Sequence, residues 1–270
     1  MEKLQAAIEK ARAEREKRQP QQRRAPVQNS AALPASGPWD DIPMVEWNAR
    51  HLVKNRVVTS DSGAESTSFD MLRTKVLQQM NEHGWRKIAV TSPDKAAGKS
   101  TVCCNLIASL SRQKDRRSIL FDFDMRRPSI ATILGGKPAH GVPELLDEKV
   151  SFSEQAIRFK ENIAVSMNTS ATQSASEFLL RDRTSEIIAN IEAVYQPDVM
   201  LFDLPPMLLT DDTLAFLKNV DAAILVAGAE ATTIDHIDVC EKEIASQTNM
   251  MGVVLNKCHF AESKHGYDYY

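Results

Sequence analysis

Three stretches of this 270-residue chain carry side chains suited to holding a phosphate chain and a hard metal ion. The first is Thr91-Ser-Pro-Asp-Lys-Ala-Ala-Gly-Lys-Ser-Thr101, where Gly98-Lys99-Ser100 forms the closing part of the pattern GxxxxGK[ST]. In that pattern backbone N–H groups at a helix start surround phosphate, the lysine adds a compact positive charge, and the hydroxyl serves Mg²⁺. Pro93 stands where the pattern has its opening glycine. The second stretch, Leu120-Phe-Asp-Phe-Asp-Met-Arg-Arg-Pro128, carries Asp122 and Asp124, and the third, Leu201-Phe-Asp-Leu-Pro-Pro206, carries Asp203. One aspartate at a strand end commonly caps a turn. Three of them beside a phosphate-loop lysine predict a Mg²⁺ site with a spare carboxylate, because Mg²⁺ keeps several waters and uses few protein oxygens.

The surrounding elements must bring these stretches to one place. Lys87–Thr91 (KIAVT), Ser118–Asp122 (SILFD), Ile163–Met167 (IAVSM), Asp198–Asp203 (DVMLFD), Ala222–Ala227 (AAILVA) and Met251–Asn256 (MGVVLN) read as strands. Helices are expected over Ser66–His83, with Phe69, Leu72, Val76, Leu77 and Met80 on one stripe, and over Lys99 to Gln113, Ser176–Tyr195 and Thr233–Gln247. Strands that are apolar throughout, alternating with helices, predict an α/β fold with a mostly parallel central sheet covered on both faces, a three-layer αβα sandwich. Ligands of such sheets sit beyond the carboxyl ends of the strands, which is where all three stretches fall.

Composition narrows the function classes. With 33 Lys+Arg against 36 Asp+Glu the net charge is −3, giving no footprint for nucleic acid. Apolar runs are far shorter than the roughly 20 residues of a membrane span. Four cysteines, two of them the adjacent Cys103 and Cys104, make no disulfide or zinc spacing and read as reduced thiols, with Cys103 and Cys104 packing the helix after the loop. Residues 1–18 read as an amphipathic helix in a basic stretch, either a solvated helix end or one that docks on a partner or an acidic lipid surface. Residues 19–49, rich in Pro, Ser, Ala and Gln, read as a flexible linker. The catalytic domain is expected over 50–260, and 261–270 as a flexible tail ending Gly266-Tyr-Asp-Tyr-Tyr270.

The set TSPDKAAGKST, LFDFDMRRPS and VMLFDLPP resembles the Walker A, A′ and B motifs of bacterial tyrosine kinases, in the MinD/ParA-like branch of P-loop ATPases. The likeness covers about residue 50 to the end and is nearest to cytoplasmic autokinases of capsule and exopolysaccharide export. It implies ATP and Mg²⁺ as cofactors and transfer of phosphate to the terminal tyrosines Tyr267, Tyr269 and Tyr270. Ala97, Gly98, Lys99, Ser100 and Thr101 would hold the phosphates, and Asn256 would lie beside the adenine. Ser100, Asp122 and Asp203 would serve the metal. Asp122, or else Asp124, would take the tyrosine proton, and Arg126 and Arg127 would stabilise the phosphate in transit or pair with carboxylates. The implied partner is a membrane polysaccharide-chain-length (copolymerase) protein, which would keep the chain peripheral to the inner membrane. A homo-oligomer would place one subunit's tail in its neighbour's site.

Two departures from the family pattern keep alternatives open. Lys95-Ala96-Ala97 replaces Pro-Gly-Glu ahead of Gly98, so a positive φ at Ala96 would be strained. The family's Glu-x-x-Arg-x-x-Arg oligomerisation helix is matched by Thr67, Asp70 and Arg73, which keep only the last residue. A MinD/ParA-like switch ATPase and a catalytically weakened adaptor are the competing readings.

Overall fold

The computed structural model describes residues 37–59 and 66–258. The expected helix over 1–18, the first part of the Pro-rich segment and all three terminal tyrosines lie outside the described residues.

Seven strands form one sheet: β1 (Lys87–Thr91), β2 (Ser118–Asp122), β3 (Ile157–Lys160), β4 (Ile163–Ser166), β5 (Val199–Asp203), β6 (Ala222–Gly228) and β7 (Asn249–Asn256), in the spatial order β3-β4-β2-β5-β1-β6-β7. All pairings are parallel except β3 with β4. The described helices are α1 (Ala49–Lys54), α2 (Thr67–His83), α3 (Lys99–Leu110), α4 (Ile130–Leu134), α5 (Val142–Leu146), α6 (Phe152–Gln155), α7 (Ala175–Leu180), α8 (Asp182–Tyr195), α9 (Asp212–Leu217) and α10 (Ile234–Gln247).

Strand periodicity explains why the sheet is buried on both sides. Along β2 and β5, Ile119, Phe121, Met200 and Phe202 point into one core layer, while Leu120, Val199 and Leu201 point into the other. The first layer is aromatic: Phe121 stacks on Phe202 at 4.9 Å between ring centroids, and Phe216 meets Phe123 edge-on at 4.9 Å. The second layer is covered by α3, whose Val102, Cys103, Leu106, Ile107 and Leu110 are all buried. Side chains alternating across a pleat make both faces apolar only when every residue is apolar, which is why these strands read as unbroken runs.

The structure adds five short helices (α1, α4, α5, α6 and α9) to the sequence reading and differs from it at further points. The helix expected over Ser176–Tyr195 is two helices, because Arg181 is extended (φ −65°, ψ 135°) and the Thr184 hydroxyl donates to the Phe178 carbonyl at 2.6 Å, closing the turn. The helix from Lys99 ends at Leu110 rather than near Gln113. The edge strand β3 was not foreseen; it is short, and Arg158 and Lys160 interrupt its apolar pattern. The folded body also begins before residue 50. Trp39 is only 2% exposed, its indole N–H donates to the Glu161 carbonyl at 2.7 Å, and Ile42 is buried beside it in the aromatic layer. The linker expected through residue 49 therefore gives way to docked chain by residue 39, a feature hidden by the prolines on either side of Trp39.

If Trp39 anchors this segment, Trp39→Ala should lower the unfolding free energy by about 3–5 kcal/mol, the usual cost of emptying a buried aromatic site. Urea denaturation followed by far-UV circular dichroism measures it. A loss below about 1 kcal/mol would mean that the segment is only laid on the surface.

Candidate nucleotide and metal site

Strand order places the site. β5 lies between β2 and β1, so the carboxyl ends of these three strands are neighbours, with Asp203 in register with Asp122 on one side and Val90 on the other. The loop after β1 leads directly into α3, so the amides at the start of α3 face the same end of the sheet.

The loop is held open by two residues in left-handed conformation. Gly98 has φ +93°, and a Cβ there would meet the Asn256 amide nitrogen at 2.2 Å. Ala96 has φ +62°. The strain foreseen at Ala96 is therefore present, costing about 1–2 kcal/mol for a residue with a Cβ. Asn256 braces this backbone by donating from Nδ2 to the Ala97 carbonyl at 2.8 Å. On the other flank, the Asp94 carboxylate meets His236 Nδ1 of α10 at 3.0 Å, a contact across 142 positions that no motif signals.

Lys99 Nζ donates to Asp124 Oδ2 at 2.6 Å, and both side chains are largely buried. Burial opposes the ammonium charge, but the Asp203 and Asp124 carboxylates outweigh it and raise the lysine's pKa. Asp122 and Asp203 lie at the bottom of the site with no exposed surface. Desolvation, reinforced by Asp203 and Asp124, pushes Asp122 well above the usual carboxylate range. Desolvation also lifts Asp203 to about 6, although Lys99 and a hydrogen bond from Ser100 pull against it. Asp122 accepts one hydrogen bond, from Ile130 N at 3.3 Å, while its Oδ1 and the Oδ2 of Asp203 are buried without partners among the described residues.

Those two orphaned oxygens and the Ser100 hydroxyl fit a Mg²⁺ ion. They offer hard donors to a cation that takes its remaining ligands from phosphate and water, so few protein ligands suffice. Among the described residues no three His, Cys, Asp or Glu side chains form a metal cage by themselves.

Above this floor opens a cavity of about 660 Å³, lined by Gly98, Lys99, Ser100, Thr101 and Asp124 on one side and by Ile133, Pro205, Pro206 and Leu209 on the other. Asp124 is the carboxylate on the cavity wall, whereas Asp122 is beneath it. Of the two candidates for the group that meets an incoming hydroxyl, Asp124 lines the cavity and Asp122 does not. Arg126 is engaged elsewhere, forming a two-pronged pair with the fully buried Asp212 at 2.6 and 3.0 Å. Asp212 was not singled out in the sequence, and the run Thr210-Asp-Asp212 at a helix start was its one available signal. On α2, Asp70 and Arg73 are bound within the chain: Asp70 accepts from Arg73, Arg112 and the Ser109 hydroxyl.

A family model described as "ParA: NUBPL iron-transfer P-loop NTPase" matches residues 85–270, more than half of the chain. Tyrosine-protein kinase YwqD of Bacillus subtilis is 25% identical over 214 residues, covering 78% of this chain and 89% of YwqD. Tyrosine-protein kinase Etk of Escherichia coli K12 is 26% identical over 235 residues, covering 80% of this chain and 32% of Etk. The chain spans between 25% and 32% of the length of most of these curated relatives. Among solved structures, the kinase domain of Escherichia coli Etk superposes with a TM-score of 0.67 at 24% identity, covering 77% of this chain and 80% of that domain. A cobyrinic acid a,c-diamide synthase from Mycobacterium smegmatis, solved with an ATP analogue and magnesium, superposes at 0.53 with 22% identity over 63% of this chain and 74% of that one. These structural likenesses show a shared fold.

The buried carboxylates make stability depend on pH. Asp203 rises on folding from 3.8 to about 6, so its ionisation penalises the folded state. The penalty is absent below the unfolded value, grows between the two, and is complete above the folded one. Asp203→Asn, which keeps the shape and removes the charge, should raise the unfolding free energy by about 2 kcal/mol near pH 7.5 and leave it unchanged near pH 3.5. Urea titrations at both pH values measure this; an equal effect at both would show that the carboxylate's charge is not the cause.

Proposed function

The chain belongs to the ParA family of P-loop NTPases, and from that premise we propose that it is an ATP-dependent protein-tyrosine kinase serving polysaccharide export. The observation that carries this reading is the cavity itself. It joins Lys99 and the phosphate loop to an apolar wall of Ile133, Pro206 and Leu209. A cavity for water alone would not need that wall, whereas an acceptor ring would lie against it. The names of the curated relatives, YwqD and Etk among them, support the same reading.

The residues divide the work by position. The amides of Ala97 and Gly98, with Lys99, would receive the β- and γ-phosphates, and Thr101 the α-phosphate. Asn256, already braced on Ala97, would border the base. Mg²⁺, when bound, would neutralise phosphate charge, held by Ser100 and by the free oxygens of Asp122 and Asp203. The acceptor's phenolic oxygen attacks the γ-phosphorus, the bond from that phosphorus to the bridging oxygen breaks, and ADP leaves. The phenol proton passes to Asp124. While Asp124 is paired with Lys99, its Oδ2 is taken up by the ammonium. Phosphate oxygens that take over Lys99 would free that carboxylate oxygen to meet the phenol. The base is thus armed by the nucleotide.

Acceptors are Tyr267, Tyr269 and Tyr270 in this proposal, and the membrane chain-length protein is the partner that holds the chain at the cytoplasmic face of the inner membrane. No described helix is long and apolar enough to cross a membrane. A homo-oligomer would present one tail to another subunit's site, but it would have to be built without Asp70 and Arg73, which are occupied within the chain. One observation favours a weakened adaptor instead: the strained Ala96 in the phosphate loop.

Incubating the full chain with MgATP should give phosphotyrosine in its final dozen residues by peptide mass spectrometry. Lys99→Met should abolish it. Asp124→Asn should keep ATP affinity and lower transfer about 100-fold or more. Phosphate release without phosphotyrosine would make the chain a switch ATPase, and calorimetry showing no nucleotide affinity would make it an adaptor.

A further inference from the structure

Two consecutive arginines reach the same cavity, and the fold treats them differently. Arg126 is consumed: besides its pair with Asp212, its Nη1 donates to the Gln173 carbonyl at 3.1 Å, and the Asp211 charge acts on the same guanidinium. Arg127 is pinned only through its backbone, whose N–H donates to Asp124 Oδ1 at 3.1 Å. Its side chain is exposed, lines the cavity, and makes no ion pair among the described residues.

The wall beside Arg127 is also unfinished. Leu209 is 54% exposed next to the buried Pro205 and Pro206. Thr210 lines the same cavity with other atoms, its hydroxyl being buried away from it. An exposed leucine and a guanidinium without an ion pair among the described residues, on one cavity, suit an occupant that brings anionic as well as apolar atoms. An aromatic ring set beside an anion has that character: the ring covers Leu209 and Pro206, and the anion meets a guanidinium geometrically suited to carboxylates.

Resting on the kinase reading of this cavity, we infer that Arg127 is a specificity residue that selects tyrosines next to a carboxylate, its occupant being this chain's own Tyr267-Asp-Tyr-Tyr270 segment. Asp268 lies between two of the three terminal tyrosines, so any of those tyrosines that enters brings the carboxylate with it. The described chain leaves at Cys258, two residues beyond the Asn256 that touches the phosphate loop. Tyr269 is eleven residues further, a reach of up to about 36–40 Å when extended, enough for this cavity or a neighbour's. A nucleotide phosphate is the weaker match for Arg127. The phosphate end of the cavity is deep, with the Lys99 side chain only 12% exposed, whereas Arg127 stands at the solvent mouth.

Fluorescence anisotropy of labelled peptides Gly-Tyr-Asp-Tyr-Tyr and Gly-Tyr-Asn-Tyr-Tyr on the full chain tests this without requiring turnover. The Asp peptide should bind about five- to tenfold more tightly, the worth of one charge-assisted hydrogen bond at a partly wet site. Arg127→Gln should equalise the two peptides, Arg127→Lys should restore part of the preference, and Arg127→Glu should favour a Lys-substituted peptide. Circular dichroism confirms that each variant is folded. Equal binding of both peptides to the wild type overturns the inference. So does discrimination that survives in Arg127→Gln, or a loss of ADP affinity in that variant, which would assign Arg127 to the nucleotide. Discrimination without any phosphotyrosine overturns the kinase reading and leaves this inference standing; phosphotyrosine without discrimination does the reverse.

Discussion

The structure turns on one buried ammonium. Lys99 is withdrawn from water at the start of α3, and an unpaired charge there would be strongly destabilising. Asp124 at 2.6 Å and the charge of Asp203 keep it ionised. Each partner comes from a different strand end, so the pairing holds only while β1, β5 and β2 remain neighbours in register. The sheet order is thus a requirement of the charge as much as the charge is a product of the sheet.

That arrangement is deliberately unbalanced. Asp122 and Asp203 stand side by side on adjacent strands, both buried, and the Asp203 charge opposes the ionisation of Asp122. One lysine cannot satisfy three carboxylates. Buried polar oxygens left without partners are rare in folded proteins and call for an explanation. A cation drawn to Asp122 and Asp203, together with an anion drawn to Lys99, would satisfy both. The proposed ligand, a metal-bound polyphosphate, brings both ions at once. The cost is carried by the apolar layers beneath, where the stacked Phe121 and Phe202 and the buried face of α3 hold the strand ends in place.

How much of this was legible in the sequence depended on the range of the interaction. β1 and β2 were readable to the residue, because an unbroken apolar strand buried on both faces announces itself locally. Lys99, Asp122, Asp124 and Asp203 could be grouped because each ends or follows such a strand. What escaped was decided by contacts across the fold. Nothing near Trp39 forecasts the Glu161 carbonyl that fixes it. Thr184 breaks a helical pattern by reaching back to Phe178. The choice between Asp122 and Asp124 was undecidable from spacing, since two residues along the chain separate the floor of the site from its wall. Ala96 shows the reverse case: a local rule about positive φ foretold strain that the structure contains.

The same distinction separates Arg126 from Arg127. They are chemically identical and adjacent, and a motif reading gives them one role. Arg126 meets a carboxylate that is wholly buried, so its charge serves to hold α9 against the loop after β2. Arg127 meets none among the described residues and stays in solvent. Asp70 and Arg73 follow the first pattern: they belong to a helix that the family resemblance links to assembly, yet in this chain Ser109 and Arg112 absorb them. A polar side chain whose partners lie inside the fold is spoken for by stability, and its type alone says little about function. Functional weight falls on groups that the fold positions at this site and then leaves unmatched: the free oxygens of Asp122 and Asp203 and the guanidinium of Arg127. All of them lie at or beneath a single cavity, which is why that cavity, rather than any motif by itself, carries the functional argument.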